Sequence, residues 1–152
     1  MFYLEPDMFF AGDDVSGSDR SFSLGGNAFS GEQEQRQRIL IVDDHRLIAD
    51  TLREIMQNSG FEARVAYDGR SALEIASRFR PDWLLSDVLM PLMNGVELAI
   101  SFRKNYPRTS ILLFSGQAGI TEILQDGQRQ GYEFELIAKP VHPLKLIERM
   151  KQ

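Results

Sequence analysis

Apolar and polar positions change their period several times along the chain, and each change predicts an element. Ile39-Leu40-Ile41-Val42 is a continuous apolar run, the pattern of a parallel strand buried on both faces. From Arg46 to Ser59, Ile48, Leu52 and Ile55 recur at helical spacing, with Gly60 as the stop. Residues 61–66 alternate as a short strand, and Tyr67-Asp68-Gly69 turns the chain. Ser71 to Phe79 predicts a helix with Leu73 and Ala76 on one face, ending before Pro81. Trp83-Leu84-Leu85 is a third strand running into Asp87, and Pro91 to Gly95 is a loop. Val96, Ala99, Ile100 and Arg103 carry a helix up to Pro107. Ser110 to Phe114 is a fourth strand, followed by Ser115-Gly116 and a weak helix across Ile120 to Arg129. Phe134 to Ala138 is a fifth strand, and Pro143 opens a last helix.

Strict alternation of strand and helix implies right-handed crossovers and a doubly wound α/β fold, a parallel sheet with helices on both faces. Ligands bind such sheets beyond the carboxyl ends of the strands, where the winding reverses. At those ends stand Asp43-Asp44, Asp87, Ser115 and Lys139-Pro140. Three carboxylates, one hydroxyl and one ammonium are therefore expected to converge on one edge.

Ahead of this pattern the chain is different. Residues 1–38 carry seven acids and three bases, whereas residues 39–152 carry 15 acids and 14 bases. Residues 11–31 are rich in Gly, Ser and Asp without helical or alternating spacing, so residues 1–37 read as a flexible acidic tail before a domain at 38–152. Phe2, Phe9, Phe10, Phe22 and Phe29 lie in that tail. They are either a docking peptide or incidental aromatics in a solvated leader.

Composition narrows the function. A chain of 152 residues with 43% hydrophobic and 26% charged residues supports one globular domain. A net charge of −5 offers no basic footprint for nucleic acid. The absence of Cys excludes disulfides, thiolate metal sites and a Cys nucleophile. No apolar run is long enough to cross a bilayer, and the Met1 to Asp7 start lacks the features of a signal peptide. A cytoplasmic protein is expected.

Crowded acids repel one another, and a cation relieves that cost at neutral pH. All-oxygen donors suit a hard ion, with Mg²⁺ the best match. A phosphoryl group on Asp87 would then meet Mg²⁺ on one side, with Lys139 and the Ser115 hydroxyl on the others. Asp87 is the natural nucleophile, because a carboxylate can form an acyl phosphate. Gly116 leaves room for a donor to approach.

In Ile39 to Asp44, Asp87-Val88-Leu89-Met90-Pro91-Leu92-Met93-Asn94-Gly95, Leu113-Phe114-Ser115-Gly116 and Lys139-Pro140, the chain resembles the receiver domain of two-component response regulators. The resemblance covers residues 38–152 and implies a flavodoxin-like five-stranded parallel sheet of order 2-1-3-4-5. It implies that Asp87 is the phosphoacceptor, taking its phosphoryl group from a sensor histidine kinase or a histidine phosphotransfer protein. Asp43, Asp44, Asp87 and the Leu89 backbone carbonyl would hold Mg²⁺. Ser115 would be the switch hydroxyl, Lys139 would pair with the phosphate, and the Lys139-Pro140 peptide would be cis. Such a module catalyses at most its own phosphorylation and dephosphorylation.

Leu136 stands where receivers often place an aromatic switch residue, with Phe134 two residues away and so expected on the same strand face. The stretch from Ser115 to Lys139 is about two residues longer than the usual pattern, near residues 130–135. Leu89 and Gln117 flank the site and are expected to tune the phosphoryl lifetime.

Each motif also has a plain structural reading. Asp44 or His45 could merely cap a helix, Asp87 and Ser115-Gly116 could be turns, and Lys139-Pro140 a strand exit. His45 and His142 are too isolated to argue a metal site and are expected to be solvated or capping. Trp83 is expected to pack under a helix, and Met90 and Met93 to pack beside the acceptor. A phosphatase of the haloacid-dehalogenase type would need an acid two residues after its nucleophile, where this chain has Leu89. A phosphorylation-independent pseudo-receiver that binds protein is the alternative. With the last helix closing at Gln152, output is expected through a separate partner protein, a phosphorylation-dependent dimer, a phosphorelay or the tail.

Overall fold

The computed structural model describes residues 35–116 and 119–151; the expected tail through residue 34, Gln117 and Gln152 lie outside the described residues. Among the described residues, five strands and five helices alternate: β1 (Arg38–Val42), α1 (Arg46–Asn58), β2 (Glu62–Ala66), α2 (Gly69–Phe79), β3 (Trp83–Asp87), α3 (Gly95–Asn105), β4 (Ser110–Ser115), α4 (Thr121–Arg129), β5 (Glu135–Ala138) and α5 (Pro143–Lys151). The strands form one parallel sheet of order β2-β1-β3-β4-β5. This is the doubly wound arrangement expected from the alternation.

The two sheet faces bury separate apolar layers. Leu40, Val42, Leu84, Ile111 and Leu113 pack with Ala72, Ala76, Phe79, Leu98, Ala99 and Phe102 of α2 and α3. Ile39, Ile41, Leu85, Leu112 and Phe114 pack on the other face with Ala49, Met56, Leu146, Ile147 and Met150 of α1 and α5. Successive residues of a strand point to opposite faces, so the unbroken run Ile39 to Val42 serves both layers and is fully buried. Trp83 joins the second layer, as expected of a strand residue under a helix.

Element ends follow local chemistry. α1 stops where Gly60 takes φ +97°, and Phe61 N–H donates to Met56 O at 3.0 Å while Gly60 N–H donates to Gln57 O at 3.2 Å. Those paired bonds satisfy carbonyls that a helix end otherwise leaves open. α2 starts two residues earlier than the spacing predicts. The Asp68 carboxylate accepts from Ser71 N–H at 2.7 Å, so Asp68 is an N-cap and Gly69 is already helical. β5 starts at Glu135, one residue later than expected. The period-two argument therefore does not reach Phe134, which sits before the strand and packs against the α2–α3 layer. Its ring stacks on Tyr132 with centroids 6.2 Å apart and lies 5.4 Å beneath the Arg103 guanidinium. Leu136 is exposed. Beyond the strand, Arg149 of α5 forms an ion pair with Glu135.

Candidate functional site

β1 and β3 are neighbours in register, Val42 opposite Ser86, so the residues that follow and end them, Asp43 and Asp87, come out at the same edge. Asp43 is fully buried and Asp87 is 5% exposed. Asp43 N–H donates to Ala66 O at 3.2 Å, which seats the residue against the end of β2. Its Oδ1 accepts from His45 N–H at 2.9 Å, and its Oδ2 lies 3.3 Å from Lys139 Nζ. The same ammonium stands 3.7 Å from Asp87 Oδ2. One cation thus spans two buried carboxylates that are 44 residues apart in sequence.

Burial pushes the Asp87 carboxyl above the usual carboxylate range. Lys139 opposes that rise, and Asp43 and Asp44 add to it. In water-poor surroundings the charged form is disfavoured, and two neighbouring anions disfavour it further.

Lys139 is placed by long-range packing. It follows β5, where its N–H donates to Ser115 O at 2.9 Å, and the Lys139-Pro140 peptide is cis, as the resemblance implies. Its ammonium lies 4.4 Å from the centroid of the buried Phe114 ring, within range of a cation–π contact. Ser115 is the buried last residue of β4, one step beyond Phe114, which pairs with Asp87. Gly116 does not simply open the site. A Cβ there would come within 3.1 Å of Lys139 Cβ, so the missing side chain makes room for the lysine stem.

The loop after β3 is drawn tightly against Asp87. Gly95 N–H donates to Val88 O at 2.8 Å and Val88 N–H to Phe114 O at 3.1 Å. Ser86 Oγ donates to Asp87 O at 3.0 Å. Asn94 caps α3, accepting from Glu97 N–H at 2.9 Å. Met90 is buried and Met93 packs partly buried beside it, the loop packing expected of both. Leu89 lies half-buried in this loop, two residues beyond Asp87.

The acidic cluster has the character of a cation site. One ligand atom from each of Asp43, Asp44, His45 and Asp87 lies within 4.8 Å of the others. Asp44 Oδ1 is buried without a hydrogen-bond partner, although His45 Nδ1 stands at 3.4 Å. An unsatisfied buried carboxylate oxygen calls for an explanation, an unplaced ion among them. Three carboxylates supply the hard oxygen donors that suit Mg²⁺, so the residues fit that ion.

Several of these features were hidden from sequence reasoning. His45 occupies the N-cap position of α1 but its side chain makes no capping bond. Its ring is 65% exposed, as the solvated reading expects, but it stands 3.3 Å from Asp43 Oδ1 and 3.4 Å from Asp44 Oδ1, so it is not isolated from the acids. His142 accepts from Leu144 N–H at 3.2 Å and does cap α5. Phe114 and Ser86 looked like ordinary strand residues, and Gly95 like an ordinary loop end. The only available signals were a Gly after an N-capping Asn and an aromatic one residue before Ser115.

Against known proteins, the model of the response regulator receiver domain matches residues 39–151. The chain belongs to that family. A response regulator receiver protein from Anaeromyxobacter is 34% identical over 112 residues, covering 74% of this chain and 46% of its own length. The DNA-binding response regulator MtrA of Mycobacterium tuberculosis is 32% identical, over 76% of this chain and 50% of its own. This receiver chain therefore spans about half the length of the curated relatives it matches. Among solved structures, the chemotaxis protein CheY4 of Vibrio cholerae superposes with a TM-score of 0.67 at 32% identity, over 76% of this chain and 97% of that one. The chain is thus a receiver domain of the two-component response-regulator class, and receivers generally bind Mg²⁺ at such an acidic cluster. No helix among the described residues is long and apolar enough to cross a membrane.

Proposed function

We propose that Asp87 is a phosphoacceptor, loaded from the phosphohistidine of a sensor histidine kinase or of a histidine phosphotransfer protein. The observation that carries this reading is the Lys139 ammonium between the Asp43 and Asp87 carboxylates. An Asp87 carboxylate oxygen attacks phosphorus, an O–P bond forms, and the P–N bond to the donor imidazole breaks. The electron pair stays on the departing nitrogen, which takes up a proton. Lys139 neutralises charge growing on the phosphoryl oxygens, and Ser115 supplies a hydroxyl donor to the same group. Asp43, Asp44, Asp87 and the Leu89 carbonyl would hold a Mg²⁺ ion, which would add further charge neutralisation when bound. The elevated proton affinity of Asp87 is what burial beside two other acids produces, and Lys139 counters it.

In this reading the reaction is self-catalysed, Asp87 is the residue that carries the phosphoryl group, and the chain works in the cytoplasm. Leu89, beside the acceptor, and Gln117, outside the described residues, tune the lifetime of the acyl phosphate. The phosphorylated receiver signals through a separate partner protein or as a phosphorylation-dependent dimer, with no nucleic-acid or membrane contact assigned to it. Incubation with acetyl phosphate and Mg²⁺ followed by intact-mass measurement tests the reading. One added phosphoryl group is expected in the wild type, lost with chelator and absent from Asp87→Asn. No gain would favour a pseudo-receiver, and a gain in both proteins would move the acceptor to another aspartate.

A further inference from the structure

We propose that His45 is a nitrogen ligand of the acidic cluster, and that it biases the site toward borderline transition-metal ions. The proposal rests on the reading that Asp43, Asp44 and Asp87 hold a divalent cation. His45 Nδ1 lies 3.3 Å from Asp43 Oδ1 and 3.4 Å from Asp44 Oδ1. Adjacent donors of an octahedral ion bound at about 2.1 Å stand roughly 3 Å apart. The nitrogen is therefore near ligand spacing from two carboxylate oxygens at once.

His45 Nδ1 and Asp43 Oδ1 are within hydrogen-bond distance at 3.3 Å, and two further facts bear on an ion shared between the ring and the acids. Asp43 Oδ1 already accepts the His45 backbone N–H at 2.9 Å, a shorter contact than the one from the ring. Asp44 Oδ1, the other oxygen facing the ring, is buried and has no hydrogen-bond partner. A buried oxygen without a hydrogen-bond partner, 3.4 Å from a ring nitrogen, is a pair that a shared cation would satisfy. The turn that carries His45 is braced as well. The next residue, Arg46, sets its guanidinium 4.2 Å from the Tyr67 ring centroid, and Tyr67 OH donates to Asp50 Oδ1 at 2.6 Å.

Carboxylate and water ligands suit Mg²⁺, whereas imidazole adds most for Co²⁺, Ni²⁺ and Zn²⁺. A mixed oxygen–nitrogen shell therefore separates the two kinds of ion. His45 acts as a selectivity residue, and the oxygens alone serve Mg²⁺.

Calorimetric titration of the full chain with Mg²⁺, Co²⁺ and Zn²⁺ separately, together with the visible absorption of bound Co²⁺, tests this. The ring is 65% exposed, so His45→Ala and His45→Gln are expected to fold, as circular dichroism will verify. Both are expected to lose ~10-fold or more in Co²⁺ and Zn²⁺ affinity and less than about 2-fold in Mg²⁺ affinity. The Co²⁺ spectrum is expected to move to that of an all-oxygen shell, while His142→Ala leaves both unchanged. Equal losses for all three metals would reduce His45 to a packing role, and no loss would remove it from the shell. If Asp44→Asn loses Mg²⁺ while the His45 variants bind every metal normally, the cation reading stands and this inference fails. If the wild type binds none of the metals, both fall.

Discussion

A Cβ atom at position 95 would lie 2.1 Å from the Asp87 carbonyl oxygen. No side chain fits there without moving backbone, because the obstructing atom belongs to the residue that β3 presents to the site. Gly95 lets the first turn of α3 close against the strand end, and its N–H reaches Val88 O at 2.8 Å. Gly95→Ala is expected to destabilise the domain by ~2–3 kcal/mol through overpacking. Labelling of Asp87 by acetyl phosphate should slow as its carbonyl is displaced. Thermal unfolding with labelling kinetics checks both, and an unchanged Tm would refute the close approach.

Phe114 and Lys139 form a second pair that local patterning does not reveal. Phe114→Leu retains apolar bulk but removes the ring under the ammonium, a contact worth about 0.5–2 kcal/mol. Slower Asp87 phosphorylation is expected, by several-fold, with a changed Lys139 side-chain ¹⁵N shift. If the stability falls but the lysine signal stays, the ring serves packing alone.

Asp87 also carries a pH signature. Burial raises its proton affinity in the fold, so the native state binds more protons at this residue than the unfolded chain does. The ionised side chain is consequently a cost at neutral pH. That cost grows as pH rises from the unfolded carboxylate range through the folded pKa, and it disappears below both. Asp87→Asn is expected to raise Tm at pH 7 without divalent cation. The advantage should shrink toward pH 3 and on adding Mg²⁺. Lys139 keeps its partner Asp43 in the variant, so no unpaired buried cation offsets the gain. Melting curves from pH 3 to 8 measure it.

α4 touches α3 through Gly127, where a Cβ would stand 2.8 Å from Val96 Cγ1. Ala in place of a helical Gly normally stabilises by ~1 kcal/mol. Here the branched Val96 side chain has little freedom to yield, so Gly127→Ala is expected to be neutral or destabilising by about 1 kcal/mol. Chemical denaturation distinguishes that from a normal gain.

The phosphorylated state is expected to alter α4 and β5, a shift between two pre-existing arrangements. Amide resonances of residues 119–138 should move on phosphorylation. Phe134→Ala should change that response, because the ring is packed with Tyr132 and under Arg103. An unchanged spectrum would place signal output elsewhere.

What the chain's own pattern determined was the local structure and the edge at which chemistry appears. The run Ile39 to Val42 demanded a strand buried on both faces, and alternation with helices demanded parallel crossovers. Asp43, Asp44, Asp87 and Lys139 could be gathered from that grammar because each one sits at or beside the end of an element. The tertiary structure decided everything that depends on distance between remote segments: Lys139 reaching Asp43 across 96 positions, the Phe114 ring beneath the ammonium, Gly95 against the Asp87 carbonyl. It also turned the His45 ring toward the acids rather than into a helix cap. Periodicity encodes which face a residue shares with its neighbours, whereas side-chain direction at a crowded site is settled by sheet register and by what already occupies the space.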